Sequence, residues 1–123
     1  MLTPTQITSV LNGAPENPDM IRSANIAKVL IRAAELVEAG WTRGCLARGK
    51  NGHRIGVYDR RAARFSLNGA VLRASADLNV SYYVVQHTIT SEKRNTVAWN
   101  DSLPPGSGKT VGAFLRSLAE KSR

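Results

Sequence analysis

The sequence predicts a mainly α fold: a compact bundle of about four to five helices, with room for a short β-hairpin near residues 45–58. Three observations carry that expectation. Apolar residues recur at helical spacing in three stretches, 26–37, 63–78 and 111–118. Turn-forming residues punctuate the intervals, at Asn12-Gly13, Gly40, Asn51-Gly52 and Pro104 to Gly108. The 123 residues are 42% apolar, which suits one packed core better than two small ones. The expected division is an N-terminal extension with a short helix over 1–20 and a single helical domain over 21–123.

Thr3-Pro4 reads as a cap followed by proline at the first helical position, and Ile7, Val10 and Leu11 continue at helical spacing to Asn12-Gly13. Pro15 and Pro18 mark a connector, and Asp19 can cap the long helix after it. Ile26, Leu30, Ala33, Ala34 and Val37 then form one stripe, with Glu35 and Glu38 outside it and Gly40 as the stop. Trp41, just past that glycine, is placed to fold back on the helix. A two-residue turn at Asn51-Gly52 would pair Lys50 with His53, Arg48 with Ile55 and Leu46 with Val57. Gly44, Gly49 and Gly56 weaken such strands, so the ribbon must lie against a helix.

Asp59 is placed to cap the next helix, whose stripe is Ala63, Leu67, Ala70, Val71, Ala74 and Leu78. That start puts Arg60, Arg61 and Arg64 in the first turn, where cations oppose the helix dipole by roughly 0.3–1 kcal/mol each. Residues 80–90 suit a strand by composition and a helix by the spacing of Tyr82, Val85 and Ile89; both remain open on spacing alone. Val97-Ala98-Trp99 is a short apolar segment, and 100–108 reads as a loop. Val111, Phe114, Leu115 and Leu118 mark the last helix.

Charge is the strongest functional signal. The net charge is +8, with a sequence pI of about 10.4. Eight basic residues lie between Arg43 and Arg73 against one acid, Asp59, so a net +7 sits in 31 residues. The other 92 residues carry nine basic and eight acidic groups. Such a concentration is expected of a surface that meets phosphates or an acidic protein. Arg43, Arg48, Lys50, Arg54, Arg60, Arg61, Arg64 and Asn68 are the candidate binding residues. Arg61, Arg64 and Asn68 would share one face of the second long helix.

Catalytic chemistry finds little support. Pro105 to Thr110 resembles a phosphate loop, but Leu103 stands where the pattern needs glycine and two prolines remove N–H donors. Cys45 and His53 do not fall opposite each other, and His87 reads as a half-buried structural histidine. One cysteine and two histidines make no recognisable metal site. Asn100-Asp101 can hold a turn through backbone bonds. As a pocket lip, Trp41, Trp99, Asn100 and Asp101 could also hold a small polar ligand. Tyr82-Tyr83 alone is a weak sign of base stacking.

The segment order resembles DUF6197, a family of small bacterial and phage domains of unknown function. The matching pieces are Leu30 to Gly40 with Trp41-Thr42-Arg43-Gly44, Ala47-Arg48 to Gly52, and Ala63 to Ala70. Ala98-Trp99-Asn100-Asp101 and Lys109-Thr110-Val111 complete the resemblance, which covers roughly residues 26 to 120. It implies a mostly helical domain and favours helix over 81–90. It departs at Ser66, where cysteine is expected, and in the Pro/Gly-rich stretch before Lys109.

The expected function is a cytoplasmic, non-enzymatic binding protein without cofactor or membrane partner, contacting nucleic acid or a nucleoprotein complex. One alternative is an interaction module for an acidic protein, such as a phage-encoded inhibitor of a host defence complex. Another is a small-molecule pocket near the two tryptophans.

Overall fold

The structure, a computed structural model, describes residues 18–122. Among them are five helices and a two-stranded antiparallel ribbon: α1 (Pro18–Ala39), β1 (Ala47–Arg48), β2 (Arg64–Phe65), α2 (Leu67–Leu78), α3 (Tyr82–Glu92), α4 (Thr96–Ser102) and α5 (Gly108–Lys121). The mainly α fold and the small β element stand as expected. The short helix anticipated before Asn12 lies outside the described residues. No helix among the described residues is long and apolar enough to cross a membrane.

Helix α1 is central. Its stripe, Val29, Leu30, Ala33, Ala34 and Val37, is wholly buried between α2 and α5. Small residues let α5 come close: a Cβ at Gly108 would run into the Val37 carbonyl. Glu38 crosses Gly112 to meet Arg116 in a two-pronged ion pair, Nη2 to Oε1 at 2.7 Å and Nε to Oε2 at 2.9 Å. That guanidinium holds the Glu38 carboxyl below its usual range. The 80–90 segment is helix α3, with Val85 and Ile89 buried one turn apart. His87 on it is exposed, not half-buried.

Helix α2 starts later than its stripe suggests. Ser66, in extended backbone, is the true N-cap, its Oγ accepting from Gly69 N at 3.0 Å. Asp59 instead closes a turn, accepting from Arg61 N at 2.8 Å and, through its carbonyl, from Ala62 N at 3.0 Å. Long-range bonds decide between the two capping residues. Phe65 N donates to Gly40 O at 2.9 Å, and Ser66 N donates to Leu46 O at 3.1 Å, so residues 64–66 are strand-like. Arg60, Arg61 and Arg64 therefore lie before the helix and not in its first turn.

The hairpin turn also differs by one residue. Gly49 N donates to His53 O at 2.9 Å and Gly52 N to Gly49 O at 3.0 Å, with Gly52 at φ +86°. This is a three-residue loop over 50–52 whose left-handed position is filled by glycine. Arg48 consequently faces Arg54 rather than Ile55, and the side chains of one strand exchange faces.

Gly69 supplies a test of the packing. It lies in the first turn of α2, where alanine would ordinarily favour the helix by about 1 kcal/mol. Here a Cβ would strike the Leu46 backbone carbonyl. Gly69→Ala is expected to reverse the sign and destabilise by about 2–3 kcal/mol, read from the urea midpoint.

Candidate nucleic-acid interface

The ribbon builds the site. In β1 and β2, Ala47 pairs with Phe65 and Arg48 with Arg64. On its other edge Arg48 bridges Arg54. Residues directly opposite in antiparallel strands project to the same face. Arg54, Arg48 and Arg64 thus form a row of three arginines on one face of the ribbon, with Arg48 in the middle.

A network of neutral acceptors fixes the central arginine. Arg48 Nε donates to Thr42 Oγ1 at 2.7 Å, Nη1 to Gly52 O at 2.9 Å and Nη2 to Arg43 O at 3.3 Å. None of these acceptors cancels its charge. Arg43 is tied in turn through Nη1 to Leu103 O at 2.7 Å. Behind them, Asn100 is 1% exposed and bonded at both ends of its amide. Its Oδ1 accepts from Trp41 Nε1 at 2.8 Å and Leu67 N at 3.0 Å; its Nδ2 donates to Thr42 O and to Asp101 Oδ1, each at 3.2 Å. Asp101 Oδ1 also accepts from Gly44 N at 3.0 Å. Asn100 and Asp101 therefore pin residues 41–44, which carry Thr42 and Arg43.

Apart from Asp101, most carboxylates pair elsewhere. Glu35 and Asp77 meet Arg32, Asp77 also meets Arg73, Glu38 meets Arg116 and Glu92 meets Lys121. Within the basic segment only Asp59 is acidic, and it takes Arg61 at 2.9 Å. Side-chain and backbone bonds from Arg61 bring the Asp59 carboxyl down to about 2, so Asp59 is charged and paired with Arg61 at neutral pH. Arg73 is turned inward, donating to the carbonyls of Val57 and Asp59. Arg43, Arg48, Lys50, Arg54, Arg60 and Arg64 have no carboxylate partner among the described residues.

Two basic clefts flank the ribbon. One, of about 360 Å³, is lined by Trp41, Thr42, Arg43, Arg48, Arg64, Pro105 and Gly106, with no carboxylate in its wall. The other, of about 520 Å³, takes Lys50 from the turn tip with Arg60 and Arg61. Arg48 and Ala63 bind these regions together, Ala63 N donating to Arg48 O at 2.8 Å.

The remaining candidates separate. Asn68 is on α2, so it shares no helix face with Arg61 or Arg64; with Cys45, Asn100 and Asp101 it lines a cleft of about 230 Å³. Trp99 packs on Phe114, ring centroids 5.0 Å apart, under the Lys93 ammonium at 4.3 Å. Trp41 and the Asn100-Asp101 pair line different clefts, and the amide of Asn100 is used up by protein. Cys45 Sγ donates to Ala47 O at 3.4 Å rather than meeting a histidine. Ser107 stands at the cap position of α5, but its hydroxyl closes the preceding turn onto Pro104 O at 2.6 Å. Sequence reasoning missed Thr42 as the seat of Arg48 and the cross-strand row itself, because both depend on which segments pair.

The model of a family of unknown function, DUF6197, matches residues 22–121. No curated protein and no solved structure matches the chain.

Proposed function

The chain belongs to the DUF6197 family, whose function is unknown, and we propose that it is a binding protein that takes nucleic acid by its phosphates along the arginine ribbon. The observation that carries this reading is the row of Arg54, Arg48 and Arg64 in direct register with no carboxylate among them. Like charges directly opposite cost a sheet roughly 0.2–1 kcal/mol per pair. A phosphate backbone removes that cost by supplying a line of negative charge. Arg43, Lys50 and Arg60 extend the positive surface on either side. Arg48, already held by three acceptors, supplies a fixed charge; Arg54 and Arg64 keep their donors for the ligand. The row offers positive charge and hydrogen-bond donors, which supports a binding reading.

Phosphate binding releases counterions and is steeply salt-dependent. An electrophoretic shift with random-sequence strands at about 50 and 200 mM salt is expected to show binding at the lower concentration. Four phosphate contacts on a single strand would weaken it roughly 50-fold at the higher one. No shift at the lower salt would overturn the proposal. Capture of an acidic protein that survives nuclease treatment, with no shift, would assign the same surface to a protein partner.

A further inference from the structure

Resting on the phosphate-binding reading, we infer that the cleft between the ribbon and the loop at Pro105-Gly106 holds the end of a strand, taking its terminal phosphate monoester. Three arginines from three segments line that one space of about 360 Å³: Arg43 after α1, Arg48 on β1 and Arg64 on β2. No carboxylate lines it. Arg54, the third member of the row, is not in its wall; it meets β1 on the edge away from β2.

Backbone pairing brings the three side chains together. Thr42 N donates to Phe65 O at 3.1 Å and Phe65 N to Gly40 O at 2.9 Å, so residues 40–42 run along the second edge of β2. Trp41 bridges Phe65 there. A Cβ on Gly40 would come 3.3 Å from Arg64 Cγ, which puts the stem of Arg64 over the glycine. From β1, Arg48 reaches across to Thr42 Oγ1 and Arg43 O. Arg43 Nη1 donates to Leu103 O at 2.7 Å, which draws its head to the wall that carries Pro105 and Gly106.

Charge selects the end of a strand over its middle. An internal phosphodiester brings one negative charge and two free oxygens. A terminal monoester brings a charge of about −1.5 to −2 and three strong acceptor oxygens. Three guanidinium groups around one small cleft match the monoester better, because each planar fork can face an oxygen of its own. Arg43 and Arg48 are already seated by carbonyl and hydroxyl oxygens, so they offer charge at fixed places. Arg64 is exposed and brings the donors that the fold leaves unused.

The test compares oligothymidylates labelled on an internal base, by fluorescence anisotropy at low salt. One carries a 5′-phosphate and one a 3′-phosphate. The third ends in hydroxyls and is longer by two nucleotides, which gives it nearly the same charge. The variants are Arg64→Gln and Arg54→Gln; circular dichroism checks that each is folded. Wild type is expected to bind one phosphorylated strand about tenfold tighter than the hydroxyl-ended one. Arg64→Gln should bind all three alike, while Arg54→Gln binds all three more weakly and keeps the preference. Unlabelled thymidine monophosphate should displace the preferred strand only at far higher concentration; displacement at equal concentration would overturn the assignment to a strand's end. Equal wild-type affinity for the three strands, or a preference that survives Arg64→Gln, would overturn the inference and leave the phosphate reading standing. Wild type that binds none of the three would overturn both.

Discussion

Asn100→Ala is expected to lower the unfolding free energy by about 3–5 kcal/mol, because it strands several buried polar groups at once. The Leu67 N–H and the Trp41 indole N–H lose their acceptor, and the Thr42 carbonyl loses a donor. Each buried group left unpaired costs about 1–3 kcal/mol, and the missing side-chain volume adds to that. Asn100→Asp restores the acceptor but buries a charge at a position 1% exposed, so it should rescue little. Denaturant titration with an unchanged slope and a lower midpoint checks the prediction. A loss below about 1 kcal/mol would show that water satisfies these groups as well as Asn100 does. The effect reaches the ribbon, since Asn100 holds Thr42 and Thr42 holds Arg48.

The second large effect separates stability from binding. Arg54 and Arg64 are exposed and make no side-chain hydrogen bond or ion pair to a described residue, yet each lies opposite Arg48. Replacing both with glutamine removes two like-charge neighbours. The Arg54→Gln/Arg64→Gln protein is therefore expected to be as stable as wild type or more stable, by up to about 1 kcal/mol. Its affinity for nucleic acid should fall about tenfold or more at low salt. Opposite movements in the two quantities distinguish a surface kept for a ligand from one kept for folding. Calorimetry and anisotropy on the same two proteins supply the comparison; a variant that is clearly less stable would show that these arginines serve the fold.

Helices α1 and α5 are legible in the sequence because Leu30, Ala34 and Val37, and Val111, Leu115 and Leu118, repeat at one period and fill one face. Helix α3 is legible in outline, since Val85 and Ile89 are the buried pair and the tyrosine-rich composition is a weaker guide than their spacing. The start of α2 is not. Asp59 and Ser66 are both sound capping residues, and Ala63 falls on the stripe by coincidence. Bonds from Phe65 to Gly40 and from Ser66 to Leu46, far back in the sequence, choose Ser66.

The same division holds for the site. The concentration of charge over 43–73 is visible in composition alone. Its arrangement is not, because aligning Arg48 with both Arg54 and Arg64 requires the three-residue turn at 50–52 and the pairing of β1 with β2. The capacity of Asn100-Asp101 to hold backbone is legible from residue type. The backbone they hold lies some 33 to 58 positions away in sequence, beyond any local pattern. Arg61 and Arg73 count equally with the others in a charge sum, yet Asp59, Asp77 and two carbonyls withdraw them.

The sharpest check on phosphate binding by the arginine row is the salt dependence of affinity, measured for wild type and for Arg54→Gln/Arg64→Gln on the same single strand. Each phosphate contact contributes about 0.7 to the slope of log affinity against log salt on a single strand. A steep negative slope is expected for wild type, and one shallower by about 1.4 for the variant. Equal slopes with undiminished affinity would show that the row does not meet the phosphates.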